Sequence, residues 1–533
     1  MEYVPCFQQN GNLSCSRLEL PLDYFNGTHP NETVQIAVVR LAAKVPITDP
    51  RYGGAILVNP GGPGGSGTAM VIGGGSAIQS IVDSEENDER SHHDAKYYDI
   101  IGFDPRGISP STPVADCFGS VAARMSWNMR VSGEGILGSS DAAVGRLLAM
   151  DNALGGACAD TLKHGNPIME YVTTAAVASD MIEIIEKHGK WREAEAKRLA
   201  ESPLTIVETL SPAVWAGQER YQAHLQSLQY HEGKEKLQYW GFSYGTYLGT
   251  TFASMFPDRV GRVLLDGVVD AEDYSHTLWT NNMEDEEKTM QYFFDGCAKA
   301  GPTVCPLARK GSSSGDVRIR FQTIVTGLYH NPLPSHVERP EVLTYSDVKN
   351  LIRGVLYSPV YGFPVLAMLL AQIESGNIDA LAPMLEMYHT IPCDTSQCPP
   401  CSNKSSMDYT SSSGYNVAPV SKLERLTWTP SEATFAILCG DGFPQTGHDV
   451  QFWDHYWREL EAISPTAGAT WAAIRMMCSG WTVRPRFKYS GPFKADTSPS
   501  KILWIGNTAD PATPLSAYVT SFLLHPCSMS GAL

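Results

Sequence analysis

The 533-residue chain has a formal net charge of −17, 43% hydrophobic residues and 11 tryptophans. That length and apolar content suit a large folded core with a second unit inserted into it. The acidic balance, with no basic run, excludes nucleic acid and anionic membranes as partners, and no stretch is apolar for long enough to span a bilayer.

Residues 1 to about 50 read as a strand-rich leading segment, with Val34–Leu41 the clearest strand. Ala55–Asn59 is a buried-strand pattern that runs into Pro60-Gly61-Gly62-Pro63-Gly64-Gly65-Ser66-Gly67. Glycines this dense let backbone amides approach a ligand, and the absence of a following Gly-Lys-Ser/Thr argues against a phosphate loop. A second strand, Tyr98–Asp104, ends in the charged turn Asp104-Pro105-Arg106-Gly107. Asp104 and Arg106 are expected to fix this turn by ion pairing rather than to act on substrate. Glu170–Gly189 has helical apolar spacing, and Lys190–Lys236, charged and interrupted by aromatics, reads as an insertion.

The most informative stretch follows. Leu237-Gln238-Tyr239-Trp240 leads into Gly241-Phe242-Ser243-Tyr244-Gly245, with a helix expected from Tyr247 to about Phe256. Strand, sharp turn and helix form the layout of a nucleophile elbow, which thrusts a serine hydroxyl above the sheet. The amide of Tyr244, at a helix N-terminus, would then face a developing oxyanion. Asp270 to about Thr434 reads as a helical cap, with helices over Tyr345–Tyr357 and Pro364–Ser375 and a low-complexity stretch at Ser405–Tyr415. Near the end, Ile502–Gly506 is a strand and Asp510 follows it, where open parallel sheets place functional groups.

Five ordered motifs, NPGGPGGSG, GFDPRG, YWGFSYGTYLG, RVLLDGVVD and ILWIGNTADPATPL, resemble the proline iminopeptidase and tripeptidyl aminopeptidase group of α/β-hydrolase serine peptidases. The resemblance runs from about Tyr3 to about Leu515 and is nearer the tripeptidyl aminopeptidase-like members. It implies an α/β-hydrolase fold with a mainly parallel central sheet and an inserted helical cap. The expected division is 1–269 for the first part of the core, 270–434 for the cap and 435–533 for the rest. It implies hydrolysis without a metal or organic cofactor by a Ser-Asp-His triad, in which Ser243 matches the nucleophile and Asp510 the acid. Gly62 or Gly61, with Tyr244, matches the oxyanion hole, and Gly62 is preferred. In such peptidases cap carboxylates hold the substrate's free amine. Glu284, Asp285, Glu286 and Glu287 are placed for this, with Glu284 and Glu287 the candidates, against the plainer reading of a solvated acidic face.

The histidine is where the chain departs from the pattern. A Gly-His-Cys-like segment is expected about 25 to 35 residues past the aspartate. After Leu515 the resemblance is lost, and the one histidine there is His525. His525 is the candidate base, against a helix-terminal cap. His448, in Gly447-His448-Asp449, precedes Asp510 and is the weaker candidate. The abrupt change after Leu515 is read as a mis-predicted last exon, with a Gly-His-containing ending expected in its place.

Cysteine and sequon placement point to the secretory pathway, although Met1–Pro5 lacks a charged-then-apolar signal region. Of 12 cysteines, Cys6 with Cys15, Cys297 with Cys305, and Cys439 with Cys478 are expected to pair. Cys393, Cys398 and Cys401 lack a fourth local metal ligand and read as a loop staple. Asn12, Asn26, Asn31 and Asn403 are glycosylation acceptors by sequence. The principal functional expectation is a serine aminopeptidase acting on short peptides. The rivals are an esterase or amidase on a small metabolite and a catalytically impaired hydrolase-fold protein.

Overall fold

The computed structural model describes residues 1–7, 11–85, 94–201, 212–336, 340–381, 385, 389, 431–494, 502–524 and 529–532. The strands of the central sheet are β1 (Val4–Pro5), β2 (Leu13–Pro21), β3 (Thr33–Leu41), β4 (Tyr52–Asn59), β5 (Tyr97–Asp104), β6 (Leu237–Phe242) and β7 (Val260–Asp266). A small hairpin, β8 (Leu333–Ser335) with β9 (Glu341–Leu343), lies apart, and β10 (Ile502–Gly506) and β11 (Met529–Ala532) complete the sheet. Among the described residues the order is β1-β2-β3-β5-β4-β6-β7-β10-β11. The first strands pair antiparallel up to β5, and every later pairing is parallel.

This topology fixes where chemistry can occur. From β4 the chain passes to β5 on one side and later to β6 on the other, which makes the carboxyl end of β4 a topological switch point. The register pairs Asn59 with Gly241, Phe242 with Asp266, and Asp266 with Ile505, so the ends of four neighbouring strands lie level. The glycine loop, Ser243, Gly267 and the Asp510 turn all leave the sheet at that level.

The strands form because they are apolar on both faces: all eight residues of β5 are buried. The helix Gly67–Val82 covers one face, and Thr174–Ala200 with Tyr244–Met255 covers the other. The Thr174–Ala200 helix continues eleven residues beyond the expected end at Gly189. Gly189 fits because a Cβ there would press on Glu235, and Arg192 pairs with that glutamate through both nitrogens at 2.9 Å. The first part of the expected insertion is therefore helix anchored by a charge pair.

Between β7 and β10 the chain runs through helices of two kinds. Met290 to Leu385 contribute a hydrophobic cluster of their own. Ala271–Met283 and Ala433–Val483 pack instead into the main core. The Pro359–Glu374 helix begins five residues before the expected Pro364, because Pro359 at its first position already has the φ that a helix start needs.

Four disulfides are present among the described residues: Cys6–Cys15, Cys297–Cys305, Cys439–Cys478 and Cys117–Cys158. The last was not among the expected pairs. Cys393, Cys398 and Cys401 lie outside the described residues. No described helix is long and apolar enough to cross a membrane.

Arg106 and Asp180 form a fully buried pair, at 2.7 and 2.6 Å. Arg106 also donates to the carbonyl of Leu22 at 2.7 Å, and Tyr24 donates to Asp180 at 2.8 Å. Asp104 is not part of this pair. It caps the Gly67–Val82 helix, accepting from Ser66, Thr68 Oγ1 and the Thr68 amide. Removing one partner of a buried pair strands the other charge. Asp180→Ala or Arg106→Ala is expected to destabilise the protein by about 3–5 kcal/mol, read as a thermal midpoint lowered by several degrees. An unchanged midpoint would show that the pair is dispensable.

Candidate active site

Ser243 sits between β6 and the Tyr244–Met255 helix with φ 54° and ψ −124°. A residue with a Cβ pays about 1–3 kcal/mol for such a backbone, so the surroundings must enforce it. The Ser243 amide donates to the carbonyl of Asp266 at the end of β7, at 3.0 Å. The Ser243 carbonyl accepts from the Thr246 amide at 2.7 Å and the Thr246 hydroxyl at 2.6 Å. That hydroxyl also accepts from the Val269 amide at 2.9 Å, tying the turn to the chain leaving β7. The flanking glycines are sterically required: a Cβ on Gly241 would collide with the Gly245 carbonyl, and one on Gly245 would lie 2.8 Å from the Asn59 oxygen.

The glycine loop after β4 abuts this turn. Gly61 has φ 91°, and a Cβ there would strike the Phe242 carbonyl and lie 3.0 Å from both Ser243 Cβ and the Tyr244 nitrogen. Its own amide is engaged, donating to Oδ1 of the buried Asn59 at 2.9 Å. Gly62 differs. It lines a cavity of about 380 Å³ together with Ser243 and Tyr244, and no hydrogen bond within the described residues uses its amide. The rest of the wall is largely aromatic and apolar, from Tyr274, Trp279, Trp471 and Met477. Leu438 and Met477 on that wall each adjoin a half-cystine of the Cys439–Cys478 disulfide, which joins the two helical segments supplying them.

Asp510 follows β10 in a tight turn. Its Oδ1 accepts from the amides of Ala512 at 3.0 Å and Thr513 at 2.8 Å, and its Oδ2 from Asn507 at 3.3 Å. The turn presents Ala512 and Thr513 to the cavity, and Asn282 pins it by donating to the Ala512 carbonyl at 2.9 Å. Asp266 is close enough to sense it: burial first, then the Asp510 charge, raise the Asp266 carboxyl above its ordinary range. His525 and Asn403 lie outside the described residues. His448 stacks on Phe452 with ring centres 3.8 Å apart and is not on the cavity wall; no described residue of that wall is a histidine.

The acidic run behaves differently from a solvated face. Glu284 is exposed and accepts from Ser516; Glu287 accepts from Ser464 and the Thr466 amide. Neither lines the cavity. Glu286 is the buried member, 1% exposed, and takes the Trp471 indole N–H at 2.6 Å. Burial pushes its carboxyl up to about 7.

Behind Tyr244 lies a second polar group that the sequence did not announce. Asp441 is buried and accepts from Thr174, through the amide at 2.9 Å and the hydroxyl at 2.6 Å, and from Tyr274 at 3.2 Å. The Thr174 hydroxyl is also bonded to the phenol of Tyr244. Asp441 thus holds, through Thr174, the side chain of Tyr244, a residue of the cavity wall. Burial pushes its carboxyl up to about 6.

Comparison with known proteins agrees with this architecture. Residues 54–304 match the alpha/beta hydrolase fold family, and residues 464–520 match the TAP-like protein family. The chain is an α/β-hydrolase with a TAP-like C-terminal region. It is similar to the serine protease Hip1 of Mycobacterium tuberculosis, 25% identical over 97% of this chain and 81% of the relative. It is also similar to the tripeptidyl aminopeptidase of Streptomyces lividans, 26% identical over 48% of this chain and 35% of the relative. A shorter match, 34% identical over 22% of this chain and 19% of the relative, is to carboxylesterase B of Mycobacterium tuberculosis. As an enzyme, this α/β-hydrolase is a serine hydrolase.

The Asp441 environment has a signature in pH. Its folded carboxyl binds a proton more tightly than the unfolded one, whose pKa is about 4. The resulting stabilisation is full below that value and is lost as pH rises through about 6. Relative to Asp441→Asn, the native protein should lose on the order of 2–3 kcal/mol of stability between pH 4 and 7. Chemical unfolding of both proteins across that range measures it. A difference that stays flat, or that grows in favour of the native protein, contradicts the burial argument.

Proposed function

We propose that this serine hydrolase is a peptidase that removes short peptides or single residues from substrate N-termini through an acyl-enzyme formed on Ser243. The observation that carries this reading is the forced backbone of Ser243 on a wall shared with Gly62 and Tyr244. Ser243 Oγ attacks the scissile carbonyl carbon, and the carbonyl oxygen becomes an oxyanion that accepts from the Gly62 and Tyr244 amides. Gly61 is excluded from that role because its amide already serves Asn59. His525 takes the serine proton and returns it to the leaving amine, with Asp510 orienting the ring. Its assignment rests on chain order alone: it is the one histidine after the acid, although it lies nearer to Asp510 than the family's spacing calls for. Water, deprotonated by the same imidazole, then attacks the ester carbonyl and releases the acyl group, restoring Ser243.

The aminopeptidase refinement draws its support from the likeness to the tripeptidyl aminopeptidase over 48% of this chain. A second reading, an esterase or amidase on a small acid, is favoured by one feature: none of the described residues on the cavity wall is a carboxylate that would hold an ammonium group. Glu284 and Glu287 would serve an amine only from outside that wall. Export is part of the proposal, supported by the four disulfides and by exposed acceptor asparagines at Asn12, Asn26 and Asn31.

Steady-state assays on tripeptidyl, aminoacyl and acetyl-blocked p-nitroanilides and on aryl esters test the reading. Ser243→Ala and His525→Ala should each lower kcat on the order of a million-fold, with KM little changed. Preference for a free amine supports the aminopeptidase; equal use of blocked substrates supports the esterase or amidase. A Ser243→Ala protein as active as the native one contradicts both.

A further inference from the structure

Among the described residues lining the cavity beside Ser243, one bears a charge: Arg353. It belongs to the helix Tyr345–Leu356, whose Val348, Ile352 and Leu356 are buried in the second hydrophobic cluster. With that face committed, Arg353 turns towards the cavity. Its guanidinium lies over the Trp471 ring, 5.4 Å from the centroid, and its Nε is buried without a hydrogen-bond partner. No described carboxylate forms a salt bridge with it.

The support beneath Arg353 is rigid. Trp471 is held by its indole bond to Glu286 and by stacking on Trp279, with ring centres 5.9 Å apart. Glu286 feels the Arg353 charge, but one of its carboxylate oxygens is engaged by the indole. Burial raises its carboxyl to about 7, so that near neutral pH it is only partly ionised and compensates the cation less. The other basic residue of this helix on that side, Lys349, is already bound to the Pro465 carbonyl and to Glu461.

A guanidinium does not deprotonate in a protein, and it presents a planar fork of donors that matches a carboxylate. In an aromatic cavity such a donor costs free energy until a ligand satisfies it. We propose that Arg353 is the specificity-determining residue of this site and selects substrates that carry a carboxylate near the scissile carbonyl. The carboxylate is an acidic side chain or the free C-terminus of a short peptide. The proposal builds on the reading of Ser243 as nucleophile, but its binding part can be measured without turnover.

Two measurements test it. In calorimetric titrations of the native protein, hippurate should bind at least ten-fold more tightly than hippuramide, in which a neutral carboxamide of similar shape replaces the carboxylate. Arg353→Gln should erase that preference, and Arg353→Lys should retain part of it. In assays, the kcat/KM ratio of Glu-p-nitroanilide to Gln-p-nitroanilide reports a side-chain carboxylate. The ratio of Ala-Ala-Ala to its C-terminal amide reports a free C-terminus. At least one ratio should exceed ten, chiefly through KM, and fall towards one in Arg353→Gln. Equal binding of hippurate and hippuramide, or a preference that survives in Arg353→Gln, overturns the proposal. Selective hippurate binding by a protein that turns over no substrate would uphold Arg353 as an anion site while counting against Ser243 as nucleophile.

Discussion

Everything at this site depends on one forced turn. Ser243 holds a left-handed backbone because β4, β6 and β7 end level and leave it no other course. Its amide is drawn to Asp266, its carbonyl to Thr246, and the space on its other side is filled by Gly61. The same crowding that strains the serine delivers the neighbouring amides. Gly61 can approach because it lacks a side chain, and its engagement with Asn59 turns the loop so that Gly62 faces the cavity. In the proposed mechanism the helix start at Tyr244 supplies the other amide and its dipole.

The cavity walls come from chain far from that turn. The Asp510 loop is tied to Asn282, Tyr244 is tied through Thr174 to Asp441, and the Trp471 shelf is tied to Glu286. The first two ties link the sheet to chain inserted between β7 and β10, and the third joins two parts of that inserted chain. These links are buried and polar, so their worth lies in fixing one arrangement of wall and turn. The Cys439–Cys478 disulfide adds a covalent link between two of those segments.

The sequence makes the sheet edge legible and the walls much less so. Strand ends carry local signals: apolar runs stop at Asn59, Phe242, Asp266 and Gly506, and glycines or an Asp-Pro mark the turns. Ser243 and Gly62 could therefore be named from residues within a few positions of each. Arg353, Asp441 and Trp471 have no such mark, because each sits on a helix whose pattern reports only which face is buried. The acidic run shows the limit well. Four consecutive acidic residues look solvated by composition, yet helical geometry sends Glu286 inwards while Glu284 stays out. Cys117 and Cys158 are likewise brought together by tertiary packing.

The central claim is that Ser243 is an activated nucleophile facing main-chain donors. Treatment with a fluorophosphonate, followed by digestion and mass analysis of the peptides, tests it most directly. The account predicts a single adduct on the peptide containing Ser243, absent from Ser243→Ala. A native protein that remains unmodified, or one modified at another residue, would contradict it.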